Sequence, residues 1–253
     1  GSERETIEGI PLGLADLTVT ADSLANWVPI IALPSHMYTF RDGEHIERFM
    51  NSKIADKIRQ DILNQAGLRA IAWFERGPRY LTSNRPISHP RDLRGFKIRV
   101  PDVPMFIRDW EAAGANPTPM AFAEVFTGLQ QGVIDGQENP LALIESAKLY
   151  EVQKYVNRTA HVRQGIFVVI GEAKFKTLSP ENQTAILEAA EEMQRYEREL
   201  FLAKEQELED FLKSKGMIFN DDVDIEAFQQ AVADVVAKHF PQLVEDFLAI
   251  QEL

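Results

Sequence analysis

Cysteine is absent from the 253 residues of the chain. The fold therefore contains no disulfide bond, and neither thiolate catalysis nor a zinc site with sulfur ligands is available to it. Long apolar runs are missing as well. None approaches the roughly 20 residues that a helix needs to cross a bilayer, so we expect a protein that does not itself span a membrane.

Positive charge is also scarce. Lysine and arginine number 27 against 39 aspartates and glutamates, which gives a formal net charge of -12. An acidic surface repels phosphate backbones, so nucleic acid is not an expected partner. It offers no long-range attraction to an anionic ligand either, and any acid that binds must be held by local cations.

The common catalytic motifs are missing too. The five histidines fall in no metal-binding spacing, and the chain contains no HExxH, GxGxxG, GxSxG or Walker loop. We therefore expect no metal, no cofactor and no catalytic residue. The alternative that stays open is an α/β enzyme acting on a small carboxylic acid.

The middle of the chain alternates short strands with helices of roughly 10 residues, which indicates an α/β lobe with a largely parallel sheet. The predicted elements are a strand over 96–100, a helix over 103–113, an extended piece over 118–120, a helix over 121–131, a strand from 133 and a helix from 139. The last of these begins with Asn139 as N-cap and Pro140 at the first helical position.

A long helical pattern follows, from Ser179 to about Gly216. Roughly 36 residues at about 1.5 Å each make about 54 Å, which exceeds the diameter of one small lobe. The pattern fits either one helix that bridges two lobes or two helices with a break between them.

Arg99 is the first candidate for a binding role. It belongs to a strand whose other residues are mostly apolar, and a buried guanidinium without a partner is costly. Its partner is therefore a carboxylate, from either the protein or a ligand. Ligands of open α/β sheets bind beyond the carboxyl ends of the strands, where Arg99 lies.

Two further candidates are less specific. Arg79 follows the turn at Gly77 and Pro78, where a charged residue is usually just solvated. Asn139 would cap its own helix, but a helix N-terminus also favours a nearby anion.

Four motifs stand in a fixed order along the chain. They are residues 96–101 (FKIRVP), 114–120 (GANPTPM), 132–140 (GVIDGQENP) and 150–155 (YEVQKY). Over Gly1 to at least Leu208 the sequence resembles the substrate-binding subunit of TRAP (tripartite ATP-independent periplasmic) transporters, the dicarboxylate-binding-protein family.

The resemblance implies a type II periplasmic-binding-protein fold, in which two α/β lobes enclose a central cleft and a long helix bridges them. Lobe one is expected over residues 1–76 and 165–204, and lobe two over 77–164 and 205–253. Family members carry further residues upstream of the segment that matches the start of this chain. We therefore expect lobe one to lack its N-terminal strand, helix and second strand here.

The resemblance also implies ligand contacts. Arg99 matches the family arginine that pairs with the ligand carboxylate, Arg79 and Asn139 match two further contacts, and Phe122 matches an aromatic one. An acidic or polar position falls near Asp22, which would accept hydrogen bonds from hydroxyl groups and so favours a sugar acid such as a uronate.

The function implied by the resemblance is transport. The expected protein is a monomer in the periplasm, secreted by a signal peptide outside the given sequence. It would capture a small organic acid and deliver it to an ion-gradient-driven TRAP permease, without catalysis.

Overall fold

The computed structural model describes residues 2–253, and for Leu202 the main chain alone. The strands are β1 (Leu17–Thr20), β2 (Leu68–Glu75), β3 (Arg79–Ser83), β4 (Lys97–Val100), β5 (Asn116–Pro119), β6 (Gly136–Asn139), β7 (Tyr155–Val162), β8 (Gly165–Gly171) and β9 (Ile218–Asn220). The helices are α1 (Glu3–Gly9), α2 (Ala32–Ser35), α3 (Gly43–Met50), α4 (Lys53–Ala66), α5 (Pro104–Ala112), α6 (Val125–Gln130), α7 (Leu141–Ser146), α8 (Glu172–Thr177), α9 (Pro180–Ser214), α10 (Ile225–Val232), α11 (Val235–His239) and α12 (Val244–Gln251).

The strands form two sheets. One has the order β1-β8-β2 and the other β5-β4-β6-β3-β7-β9. In the six-stranded sheet every strand except β3 runs in the same direction, so the predicted largely parallel sheet is confirmed with one exception. Parallel neighbours need a crossover, which α5 and α6 supply, whereas β3 enters this sheet directly from the end of β2.

Two chain segments cross between the sheets side by side. Strand β2 pairs with β8 up to Glu75 and Gly165, and β3 pairs with β7 from Arg79 and Val162. Between these pairs the amide of Arg76 donates a hydrogen bond of 3.2 Å to the carbonyl of Gln164. This hydrogen bond therefore connects the two segments in the short stretch between the two sheets.

Helix α9 is a single helix of 35 residues, so the bridging interpretation is the correct one of the two. Near its start Ala190 packs against Phe74 and Val168 of the three-stranded sheet. Near its end Leu212 lies in a cluster with Ile144 beside the six-stranded sheet. The helix therefore packs against both sheets, through one apolar contact region near each end.

The connection between β2 and β3 rests on α9. A Cβ atom added to Gly77 would lie 2.6 Å from the ring of Phe201, closer than real contacts allow. Any larger residue there would require the Phe201 ring to move. The absence of a side chain at Gly77 thus allows Phe201 of α9 to pack directly on the connection between the sheets.

The largest core joins both parts of the molecule. Trp73 stacks on Phe167 with ring centroids 4.4 Å apart and meets Phe49 edge-on. The same cluster includes Trp110 of α5 and Phe228 of α10. Within the described residues, no helix combines the length and the apolar character needed to cross a membrane.

A buried polar network joins three neighbouring strands of the six-stranded sheet. Arg79 on β3 donates to the Glu138 carboxylate on β6 through Nε and through Nη2, the latter at 2.7 Å. His161 on β7 lies 3.1 Å from the same carboxylate and 2.8 Å from the Thr159 hydroxyl. Because all four side chains are buried, each depends on the others for hydrogen bonds.

The network sets the charge state of its members. Burial alone would raise the pKa of Glu138, but the charge and hydrogen bonds of Arg79 hold that pKa down at about 2. Burial also lowers the pKa of His161, against the opposing effect of Glu138. The network therefore holds one carboxylate and one guanidinium, with a histidine that favours its neutral form.

We predict that Glu138→Gln lowers the free energy of unfolding by about 3–5 kcal/mol at pH 7, because it leaves the Arg79 guanidinium buried without its counter-ion. The folded pKa of Glu138 lies below its ordinary value of 4.5. The wild-type contribution is therefore complete above about pH 4.5 and disappears as the pH falls towards about 2. Urea denaturation of both proteins between pH 7 and pH 3 measures this difference.

Glu111→Gln is the matched control, because Glu111 pairs with Arg108 at 2.7 Å on the surface. Exposed pairs contribute at most about 1 kcal/mol. Equal losses in the two variants, or a Glu138 variant with an unchanged pH profile, would contradict the assignment.

Candidate ligand-binding site

A cleft of about 790 Å³ lies between the two sheets, within the size range of small-molecule sites. All five residues predicted from the sequence line it: Asp22, Arg79, Arg99, Phe122 and Asn139. For the four residues other than Asp22, this convergence follows from strand direction. The carboxyl ends of β4, β5 and β6 meet at one edge of the six-stranded sheet, and the reversed strand β3 begins at that same edge.

Arg99 is buried in this wall with a relative exposure of 4%. Its Nε and Nη2 atoms both donate to the carbonyl of Met120, at 2.9 and 2.7 Å. Within residues 2–253, no carboxylate comes within the 4.0 Å of an ion pair with it. Burial lowers the pKa of Arg99 to about 10, which leaves the group a cation at neutral pH.

Phe122 lies next to this cation. The guanidinium carbon of Arg99 is 5.8 Å from the centroid of the Phe122 ring. The ring is 37% exposed, and it belongs to the wall of the cleft. An apolar face beside a cation suits a ligand that has both a carboxylate and a carbon skeleton.

Asp22 lines the cleft from the side of the three-stranded sheet, two residues after β1. Its carboxylate accepts hydrogen bonds from Ser35 and, at 2.9 Å, from the side-chain amide of Gln164. The Nη1 atom of Arg79 is 4.0 Å away. Burial raises the pKa of Asp22, and the charge of Arg79 counteracts that rise.

Arg79 is less available to a ligand than its place in the cleft suggests. Its Nε and Nη2 atoms are taken up by Glu138 and by the side-chain oxygen of Asn139, the latter at 3.1 Å. Only the Nη1 side faces Asp22 and the cleft. Arg79 is thus chiefly a member of the buried network.

The predicted helix start at Asn139 is wrong. Asn139 is the last residue of β6, and Pro140 is the N-cap of α7. The Asn139 amide donates to Gln137 at 2.6 Å instead of capping the helix. Asn139 belongs to the sheet because its main chain pairs with Tyr80 of β3. Asn139 still lines the cleft, but as the end of a strand and not as the start of a helix.

Sequence reasoning missed two residues of this region. Glu138 lies within a recognised motif, but nothing local shows that its partner is Arg79 on another strand. Arg76 lines the cleft too, where it follows the end of β2. The argument used for Arg99, a charge beside a buried strand, would have found Arg76 as well.

A second cavity of about 670 Å³ lies against α9 and differs in its charges. Its arginines face carboxylates of the protein: Arg198 lies 3.0 Å from Glu47, and Arg163 lies 3.9 Å from Glu75. The cations there are already paired. The cleft that contains Arg99 is therefore the better candidate for binding an acid.

The chain matches the model of the family described as bacterial extracellular solute-binding protein, family 7, over residues 1–243. It is 51% identical to a solute-binding protein of Roseobacter denitrificans over 236 residues, which cover 93% of this chain and 72% of that protein.

Solved structures agree with this match. A TRAP periplasmic solute-binding protein from Roseobacter denitrificans with bound L-galactonate has a TM-score of 0.95 at 48% identity, covering 99% of this chain and 84% of the other. One from Pseudomonas putida F1 with bound D-glucuronate has a TM-score of 0.94 at 32% identity, covering 100% of this chain and 83% of the other. The predicted resemblance to TRAP binding subunits and the two-lobed fold are confirmed. The chain belongs to the bacterial extracellular solute-binding proteins of family 7.

Proposed function

We propose that the protein binds a sugar acid, an aldonate or a uronate, in the cleft between its lobes and delivers it unchanged to a TRAP permease. The observation that carries this proposal is the state of Arg99. A buried guanidinium that meets a main-chain carbonyl but no carboxylate of the described chain has unused donors facing a cavity. A carboxylate ligand supplies the missing partner with two parallel hydrogen bonds.

Asp22 and Asn139 could bind the hydroxyl groups of the ligand. Both are polar side chains in the wall of the same cleft, and a carboxylate accepts hydrogen bonds from hydroxyl groups. A polyhydroxylated acid therefore fits better than a plain aliphatic one. The bound L-galactonate and D-glucuronate of the two similar structures support this choice.

The assigned roles in binding are as follows. Arg99 holds the carboxylate, and Phe122 packs against the carbon skeleton beside it. Asp22 and Asn139 contact hydroxyl groups, and Arg79 contributes its Nη1 side while its other donors fix the network.

The compartment and the partner follow from the family. Extracellular solute-binding proteins act outside the cytoplasm, so we place this protein in the periplasm, as a monomer that meets the permease subunits. Lobe one is proposed over residues 1–76 and 165–204, and lobe two over 77–164 and 205–253.

We propose that the protein is not an enzyme. Incubation of the purified protein with L-galactonate, followed by mass analysis of the small molecule, tests this. We expect recovery of the acid unchanged. Turnover would favour the alternative of an α/β enzyme acting on a small acid.

We predict that Arg99→Lys weakens the binding of L-galactonate by about 2–5 kcal/mol, as for one member of a buried charge pair. Lysine keeps the charge but cannot form the two parallel hydrogen bonds of a guanidinium. Isothermal titration calorimetry of the wild type and the variant measures the loss, after a thermal-shift screen of aldonates and uronates has identified the best ligand.

Arg108→Lys, a substitution at an exposed helix position, is the control and should leave the affinity unchanged. Wild-type affinity in the Arg99 variant would remove the main support for the site.

We predict that ligand binding compacts the molecule. An acid held between the two sheets favours the closed arrangement, because only that arrangement completes its contacts. Small-angle scattering at saturating ligand should show a smaller radius of gyration than the ligand-free protein. An unchanged radius in a sample that calorimetry shows to be saturated would contradict closure.

A further inference from the structure

Arg76 occupies a special position in the cleft. It directly follows β2 of the three-stranded sheet, whereas Arg99 belongs to β4 of the six-stranded sheet. Both line the same cavity. A ligand between the sheets therefore meets a guanidinium from each of them.

The side chain of Arg76 forms no ion pair within 4.0 Å in the described part of the chain, and the charges of Asp22, Glu3 and Glu197 act on it only from farther away. Its main-chain amide bonds to Gln164, but its guanidinium takes part in no ion pair or hydrogen bond among residues 2–253. Burial and the nearby charge of Arg79 lower the pKa of Arg76 to about 10, so it remains a cation at neutral pH. Arg99 likewise forms no ion pair, although its guanidinium donates to the carbonyl of Met120.

The acidic residues of the cleft do not neutralise these two cations by contact. Glu3 accepts hydrogen bonds from the Thr20 hydroxyl and the Ala21 amide. Asp102 lies at the exposed rim, 3.6 Å from Arg4. Glu124 is exposed, and Asp22 faces Ser35 and Gln164.

The contacts of the arginines in the cleft therefore favour a particular ligand. Of the arginines in the cleft, Arg79 forms ion pairs with Glu138 and Asp22, and Arg4 forms ion pairs with Glu8 and Asp102. Two guanidinium groups remain without an ion pair: the buried Arg99 on β4 and the half-buried Arg76 after β2. A monoanion can neutralise one of them, whereas an acid with a carboxylate at both ends can neutralise both.

We infer that Arg76 is a specificity-determining residue that binds a second carboxylate at the end of the ligand remote from Arg99, so that the protein prefers sugar diacids to sugar monoacids. The inference rests on the proposed function and narrows its substrate class. In this scheme Arg99 binds the carboxylate that all sugar acids have, and Arg76 distinguishes between the possible groups at the other end of the ligand.

Galactarate and L-galactonate are a matched pair of probes, because they differ only in one terminal group, a carboxylate against a hydroxymethyl. We expect the wild-type protein to bind galactarate about 10- to 100-fold more tightly, the range of a charge-assisted hydrogen-bonded contact. Arg76→Gln should reduce this ratio to near one, mainly by weakening galactarate. Calorimetry with both probes on each protein measures the two ratios.

Three further variants make the result interpretable. Arg76→Lys keeps the charge and should retain part of the preference, and Arg195→Gln removes one exposed positive charge outside the cleft and should retain all of it. Arg99→Lys should weaken both probes. Thermal denaturation of each variant shows that it is folded, and Arg76→Lys provides the test if Arg76→Gln is not.

Two outcomes would overturn the inference while leaving the proposed function intact. One is a wild-type protein that binds L-galactonate as tightly as galactarate. The other is an equal loss for both probes in Arg76→Gln, which would mean that Arg76 shares the first carboxylate with Arg99. Failure of the Arg99 variant to weaken either probe would instead overturn the proposed function.

Discussion

The buried ion pair between Arg79 and Glu138 is the interaction on which the site depends. It joins β3, the reversed strand of the six-stranded sheet, to β6, and His161 extends the connection to β7. Because β3 follows directly after β2 of the other sheet, the pair also fixes the position of the first residue of β3 against β6. The Nε and Nη2 donors of Arg79 bond to Glu138 and Asn139, which leaves only its Nη1 side towards the cleft.

Much of this was predictable from sequence where the physical reason was local. The position of Arg99 in the cleft wall was predictable, because ligand clefts of α/β sheets lie at the carboxyl ends of the strands. Asn139 was placed in the cleft but in the wrong element. An Asn-Pro pair favours a helix start locally, and pairing with β3 overrides that preference.

What could not be predicted depends on contacts between distant segments. Glu138 and Arg79 are 59 residues apart, and no spacing rule joins them. The continuity of α9 was open for a similar reason, because helical periodicity looks the same on both sides of a possible break. Its packing against both sheets and against the connection at Gly77 settles the question.

The side-by-side crossing of the two chain segments near Gln164 has a consequence for the interpretation of affinity. Arg76 and Arg79 flank the crossing and also line the cleft, so these two residues belong both to the cleft wall and to the joint between the sheets. A dissociation constant then contains two equilibria, the intrinsic contact and the fraction of molecules in the binding-competent arrangement. Substitutions near the joint alter both factors at once. A change in affinity measured for a variant of Arg76 or Arg79 therefore does not by itself show that the residue touches the ligand.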